Sequence, residues 1–335
     1  MDNFMPSTYG SNLDLPPAAE KAIEYPPKFE KKEQVTNIWF KSIISLALYL
    51  ILGYYFFHSF EILLLITAIV IFHEMGHFLA MKYFRYSDLG IFFIPLLGAY
   101  VSGSKREISQ KESAIIILAG PLPGIIVGIV LYLLYLNNPE LSVANISFYQ
   151  VSILLIILNL LNLLPLYPLD GGQLLNRIFL EEDSWVSKLF IILSAALMCW
   201  VAWKLSFWIL FIFPAMMLLR LQSDSKLSAV EKKIADEGIN ADVSYTELSD
   251  EDYWKIRNIL ITEQAAFRDI TPAPPYEYHP KEEKIMTTIK SLLHRHIIQD
   301  VSVAGKILIL LIWIAAFAAP WIIDMDMSFF RRFGL

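Results

Sequence analysis

Five consecutive residues, His73-Glu74-Met75-Gly76-His77, carry the side chains best suited to chemistry in this chain of 335 residues. They form an H-E-x-x-H pattern. On a helix the two histidines, four apart, share one face, so both imidazoles can hold one Zn²⁺. Glu74 then lies beside the metal, placed to take a proton from water. The motif sits inside an apolar run, Ile62 to Met81, long enough to cross a bilayer. An ionisable side chain at that depth costs about 2.5–3.5 kcal/mol on insertion scales and usually marks function. A histidine pair there can also do no more than hydrogen-bond to neighbouring helices. A third ligand at the same depth is what separates the two readings.

The elements that must position this motif follow from composition. The chain is 56% hydrophobic and 18% charged, with a mean hydropathy of +0.50, which places it in the membrane class. Apolar runs near 20 residues predict spans at 38–57, 60–81, 113–136, 147–166, 187–204, 206–221 and 305–323. The sixth is the weakest, being short, interrupted by Pro214 and ending in Arg220, so six or seven crossings are expected. Residues 1–37 read as a disordered or loosely packed cytoplasmic tail, polar and proline-rich, with no n-region or h-region, so no cleaved signal peptide is expected. Residues 38–221 form the membrane core, 222–304 a charged, partly helical segment, and 305–335 a last span with a short tail. Cys199 is the single cysteine and can form no intrachain disulfide. The net charge of −6 arises mostly from the polar segments, and no nucleic-acid partner is expected. Oligomeric state has no signature in the sequence.

Positive charge orients the bundle. Lys28, Lys31, Lys32 and Lys41 flank the first span, and Lys82, Arg85, Lys105, Arg106 and Lys111 lie in the 82–111 connection. The connections at His58-Ser59 and 137–146 contain neither Lys nor Arg. The N-terminus, the 82–111 and 167–186 loops and the 222–304 segment are therefore expected in the cytoplasm. Arg331-Arg332 then falls outside, one count against that orientation.

With this topology His77 lies near the cytoplasmic end of its span, and the fourth span descends to the same side. That span ends in Asn162-Leu163-Leu164-Pro165-Leu166-Tyr167-Pro168-Leu169-Asp170-Gly171-Gly172. Pro165 and Pro168 cannot continue a helix ladder and the glycine pair frees the backbone, so the chain should unwind here. Unwound backbone at membrane depth is tolerated where it is buried in protein or lines a cavity. Asp170 alone would read as an ordinary Asp-Gly turn. Paired with the two histidines it supplies an oxygen ligand, and two imidazoles with one carboxylate describe an open, catalytic zinc site.

These two motifs together resemble the site-2 protease family of intramembrane zinc metalloproteases, over roughly residues 60–180. The resemblance implies one Zn²⁺ per chain held by His73, His77 and Asp170, with Glu74 as general base. It further implies a substrate that is the transmembrane segment of another membrane protein in the lipid bilayer, cut near its cytoplasmic end. Phe93-Ile94-Pro95-Leu96-Leu97-Gly98-Ala99-Tyr100-Val101 lies where the family has a membrane-dipping β-hairpin. Its edge could hold an unwound substrate by strand addition. Gly98 and Asn162 are the candidate substrate-binding residues; a helix–helix hydrogen bond is the other reading of Asn162. Asn159 is read mainly as such a packing contact. Ala119-Gly120-Pro121 falls early in the third span, as in relatives.

The chain departs from the family pattern in two places. Gly98-Ala99 stands where many relatives have paired glycines, and Gly124 where an asparagine often follows the Gly-Pro pair. The 102–112 loop is too short for an inserted PDZ domain. The expected architecture is thus an all-α polytopic membrane protein with a small membrane-associated β-hairpin and the active-site opening toward the cytoplasm. A prenyl-protein-processing protease would want a glutamate as third ligand on a later helix, and no later apolar span supplies one. A non-catalytic scaffold or transporter would not need Glu74. His58, His279, His294 and His296 are not expected to bind metal. Helical patterns near 226–236, 249–268 and 282–299 point to a small cap or partner-binding arm.

Overall fold

The computed structural model describes residues 25–31, 37–57, 59–95, 98–105, 108–143, 146–180, 184–293 and 298–325. The expectations for His58, His294, His296 and Arg331-Arg332 lie outside the described residues. The membrane body begins with α1 (Ile38–Phe57) and α2 (Phe60–Tyr83), followed by a hairpin of β1 (Ser87–Ile94) and β2 (Gly98–Ser104). Then come α3 (Gln110–Ala119), α4 (Pro121–Asn137), the two-residue strands β3 (Ser142–Val143) and β4 (Ile146–Ser147), and α5 (Phe148–Asn162). A short α6 (Asp170–Leu174), a π-helical turn at Leu175–Phe179 and α7 (Trp185–Lys204) complete the first part. After a 3-10 turn at Trp208–Phe211, α8 (Ile212–Asp236) leaves the apolar region, α9 (Asp250–Glu263) and α10 (Glu282–Leu292) form a polar domain, and α11 (Val303–Ile322) is apolar again.

Among the described residues five helices are long and apolar enough to cross a membrane: Ile38–Tyr55, Phe60–Tyr83, Gln110–Asn137, Trp185–Lys204 and Val303–Ile322. Ile51, Ile126, Leu193 and Ile314 on these helices are exposed, an arrangement suited to hydrocarbon rather than water. Two expected spans take other forms. The expected 147–166 helix stops at Asn162 after 15 residues, about 22 Å at 1.5 Å per residue. That falls short of the ~30 Å hydrocarbon layer, and unwound chain follows. The expected 206–221 span is not one continuous apolar helix. Its start is the 3-10 turn, and the rest is the first part of α8, which packs back on α7 and then continues to Asp236.

The hairpin forms where alternation and turn chemistry require it. Ile91 and Phe93 point inward onto Tyr49 and Leu63, and the strands pair antiparallel with Ile91 opposite Val101 and Ile94 opposite Gly98. The Phe93 amide donates to Ser45 Oγ on α1 at 3.1 Å. This leaves β1 against α1, and β2 on the other side of the ladder.

The helices α4 and α5 pack closely against each other. Gly128 lets α5 approach, and Ser152 Oγ donates to the Gly128 carbonyl at 2.8 Å. Small residues at such a seam allow the backbones to meet. A capping box, with Ser147 and Gln150 each bonding the other's backbone N–H, sets the start of α5.

The polar domain has its own core of Val230, Ile234, Leu248, Tyr253, Trp254, Ile256, Leu260, Phe267, Ile285 and Ile289, among others. Inside it Glu282, 1% exposed, accepts from Arg257 Nε at 2.6 Å and Nη2 at 3.1 Å, from Tyr253 Oη at 2.6 Å and from the His279 amide at 3.0 Å. Burial would raise this carboxyl, but the Arg257 and Tyr253 hydrogen bonds outweigh it and hold the group below its ordinary value. Residues 25–31, expected as part of a loose tail, instead pack on this domain through Tyr25 and Phe29. The N-terminal flank and the polar domain therefore lie on the same side of the membrane body.

Candidate metal centre

The helix α2 presents His73 and His77 on one face, as their four-residue spacing dictates. Both rings are buried, 5% and 9% exposed. Their Nε2 atoms stand 3.1 Å apart. Asp170, the first residue of α6, brings Oδ2 to 3.0 Å from His73 Nε2 and 3.4 Å from His77 Nε2. Ligand atoms around a tetrahedral zinc, at 2.0–2.2 Å from the ion, are about 3.3 Å from one another. The three atoms thus have the separations that such an ion sets.

The loop before α6 explains how a residue so far along the chain arrives there. After Asn162 the chain abandons the helix, as Pro165 and Pro168 require. The Leu163 carbonyl accepts from Trp313 Nε1 of α11 at 2.8 Å. The Tyr167 amide donates to Ser194 Oγ of α7 at 3.3 Å, and Arg220 of α8 donates to the Tyr167 hydroxyl. A Cβ on Gly171 would strike the Leu163 carbonyl, and one on Gly172 the Leu166–Tyr167 peptide. The glycine pair thus lets α6 fold back tightly beneath the loop, which holds Asp170 at the depth of the histidines.

The hydrogen bonds on the far side of each ring fix what the near side can do. His77 Nδ1 lies 2.7 Å from the Ile116 carbonyl, which can only accept, so Nδ1 carries the proton. His73 Nδ1 lies 2.8 Å from Asn159 Oδ1. The Asn159 amide is oriented by its own Nδ2, which donates to the Leu155 carbonyl at 2.7 Å, so His73 Nδ1 is also the donor. In the neutral rings both Nε2 atoms are then lone pairs. Asp170 Oδ2 is buried and has no hydrogen-bond partner. Three electron-rich atoms face one another at 3.0–3.4 Å, an arrangement suited to sharing one cation. Two nitrogen donors and one carboxylate fit zinc. Among the described residues these three are the His, Cys, Asp or Glu group arranged to hold a metal ion.

Glu74 is buried, 6% exposed, and adjoins His73 on α2. Gly76 and Gly120 permit the helices to close on the site: a Cβ on Gly76 would meet the Ala119 carbonyl, and one on Gly120 would enter the His77 ring. Of the residues expected to bind substrate, Asn162 makes none of the hydrogen bonds that hold the triad. Asn159, one helical turn earlier, makes that contact and is 1% exposed. Gly124 is what gives it room, because a Cβ there would overlap the Asn159 amide. Gly98 opens β2 at the hairpin tip with φ of +113° and open space around it. Its type is required by backbone conformation.

Comparison with known proteins bears on this arrangement. Residues 61–152 match the model of Peptidase family M50. That segment contains both histidines and Glu74, while Asp170 lies beyond it. Stage IV sporulation protein FB of Bacillus subtilis (strain 168) is 30% identical over 172 residues, covering 47% of this chain. The chain spans 57% of the length of that curated relative. The Site-2 Protease from Methanocaldococcus jannaschii, 23% identical, aligns over 53% of this chain and 84% of its own, with a TM-score of 0.39.

Proposed function

We propose that this chain, which matches the model of Peptidase family M50 over residues 61–152, is a site-2-type zinc endopeptidase that cuts transmembrane segments of other membrane proteins. Its five long apolar helices make it an integral, multi-pass membrane protein. The observation that carries the finer reading is the convergence of His73 Nε2, His77 Nε2 and Asp170 Oδ2, three lone-pair atoms beside a buried Glu74. Zinc held by those three residues would polarise a peptide carbonyl and make water acidic enough to attack at neutral pH.

The protein's own groups do the remainder. Glu74 accepts the proton of the attacking water and delivers it to the leaving amine. His73 and His77 are fixed in rotation, because Asn159 and the Ile116 carbonyl hold their Nδ1–H groups. Asn159 is therefore a positioning residue. A helical substrate hides its scissile carbonyl in a hydrogen bond, so it must unwind before attack. The outer edge of β2 offers backbone groups to which an unwound segment can pair. We assign Asn162, at the end of α5 where the helix opens, and Gly98, at the hairpin tip, to the substrate side. The N-terminus and the site's opening face the cytoplasm in this proposal, on the strength of the Lys and Arg distribution.

The test is cleavage of a co-expressed membrane substrate by Glu74→Gln. Zinc content should stay at the wild-type level while cleavage falls by about 10²–10⁴-fold, the usual contribution of a general base. Undiminished cleavage would contradict the mechanism.

A further inference from the structure

The polar domain has a surface feature unconnected with the metal centre. Tyr25-Pro26-Pro27-Lys28-Phe29 lies across it as an extended strap, half-buried or exposed along its length. Two prolines fix φ and, with the restriction on the residue preceding each, favour the polyproline II form, whose carbonyls point outward unpaired. The domain meets those carbonyls with aromatic side chains. Trp254 Nε1 donates to the Pro26 carbonyl at 2.8 Å, Tyr278 Oη donates to the Pro27 carbonyl, and Tyr245 Oη donates to the Phe29 carbonyl at 2.6 Å. Tyr25 stacks edge-on against Tyr276, and Phe29 against Tyr278.

Lys28 is read separately. Its amide donates to Asp250 Oδ1 at 2.8 Å, and its ammonium donates to the Thr246 and Leu248 carbonyls at 2.8 and 2.6 Å. The contacts thus recognise a proline-proline-lysine core between two aromatic residues. Apart from the Lys28 amide on Asp250 they run between side chains and carbonyls, which is how aromatic grooves hold proline-rich peptides. Beneath it lies the domain's core of Tyr253, Ile256, Phe267, Ile285 and Ile289, on which the strap packs through the partly buried Tyr25 and Phe29.

We infer that the polar domain is a peptide-binding module for extended Pro-Pro-Lys segments flanked by aromatics, and that residues 25–29 of this chain are its exchangeable occupant in cis. Docked, the strap fastens the chain ahead of α1 to the domain that follows α8. Released, it frees a groove of defined chemistry on the N-terminal side of the membrane body.

The experiment uses the full chain in detergent with a site-specific protease sequence inserted between Lys32 and Thr36, and a fluorescent synthetic peptide spanning residues 24–32. After the cut, the peptide should bind saturably, as read by anisotropy. Uncut protein should bind it about a hundredfold more weakly, because a tethered occupant competes at an effective concentration near millimolar. Alanine at both proline positions of the peptide should abolish binding. Tyr278→Phe, on an exposed residue, should weaken it about fivefold, the loss of one hydrogen bond. Limited proteolysis reports whether the domain survives the cut. A surviving domain that fails to bind the peptide, or binds the alanine peptide equally well, overturns the inference. So does a domain that unfolds on cutting, since the strap is then core and not ligand.

Discussion

Asp170 in the membrane body and Glu282 in the polar domain are both carboxylates withdrawn from water, and their surroundings differ in kind. Glu282 receives hydrogen bonds from Arg257, Tyr253 and the His279 amide. Its charge is answered within the fold. Asp170 Oδ2 faces two imidazole nitrogens whose protons are committed elsewhere, to Asn159 and to the Ile116 carbonyl. Oδ2 accepts no hydrogen bond among the described residues. A buried carboxylate that the fold satisfies serves structure, whereas one that the fold surrounds with further donors of electron pairs is built to receive something.

The contrast can be broken most forcefully at Glu282. Glu282→Gln leaves the Arg257 guanidinium buried without its counter-charge, which should destabilise the polar domain by about 3–5 kcal/mol. Chemical denaturation followed by a probe in that domain measures it, and zinc content should not change. The pH dependence follows the same pair. Because the folded Glu282 carboxyl is held low, its stabilisation is complete above the unfolded value, roughly 4.3, and disappears as pH falls through the lower folded value. Wild-type domain stability should therefore decline in acid with a contribution that the Gln variant lacks. Equal acid slopes would remove Glu282 from the account.

A smaller effect is expected at the support of the metal centre. Asn159→Ala should weaken zinc binding by about 10–100-fold, the usual consequence of losing the partner of a ligating histidine. Competition with a chelator of known affinity reads this directly. Asn162→Ala should leave zinc affinity unchanged. The reverse ranking would assign the histidine support to the wrong asparagine.

Much of this was legible from residue spacing, and what was not has a physical reason. The histidine pair is local: four residues on a helix bring two rings to one face whatever surrounds them. Asp170 is legible one step further out, because Pro165, Pro168 and Gly171-Gly172 force the helix to break at a definable depth. The support of His73 is not local. It depends on α4 and α5 meeting closely enough for Asn159 to reach across, and its one trace in the sequence is Gly124, the residue whose missing side chain makes the space. A polar residue on one apolar helix opposite a glycine on its neighbour is the signal that could have found it. The length of α5 was misread for a related reason, since Leu163 and Leu164 continue the apolar pattern after the helical backbone has ended. The strap is the least legible feature. Pro26-Pro27 reads locally as a tail, and its aromatic partners lie more than 200 residues away, as the separation of 228 between Pro26 and Trp254 shows.

His73 Nε2, His77 Nε2 and Asp170 Oδ2 are placed to hold one zinc ion together. Zinc bound per chain should be measured in purified, metal-stripped and reloaded protein, beside Asp170→Ala. One zinc per wild-type chain, lost or greatly weakened in the variant with its helical content intact, is the predicted result. A wild-type chain that binds no zinc, or an Asp170→Ala chain that binds it with unchanged stoichiometry and affinity, would contradict it.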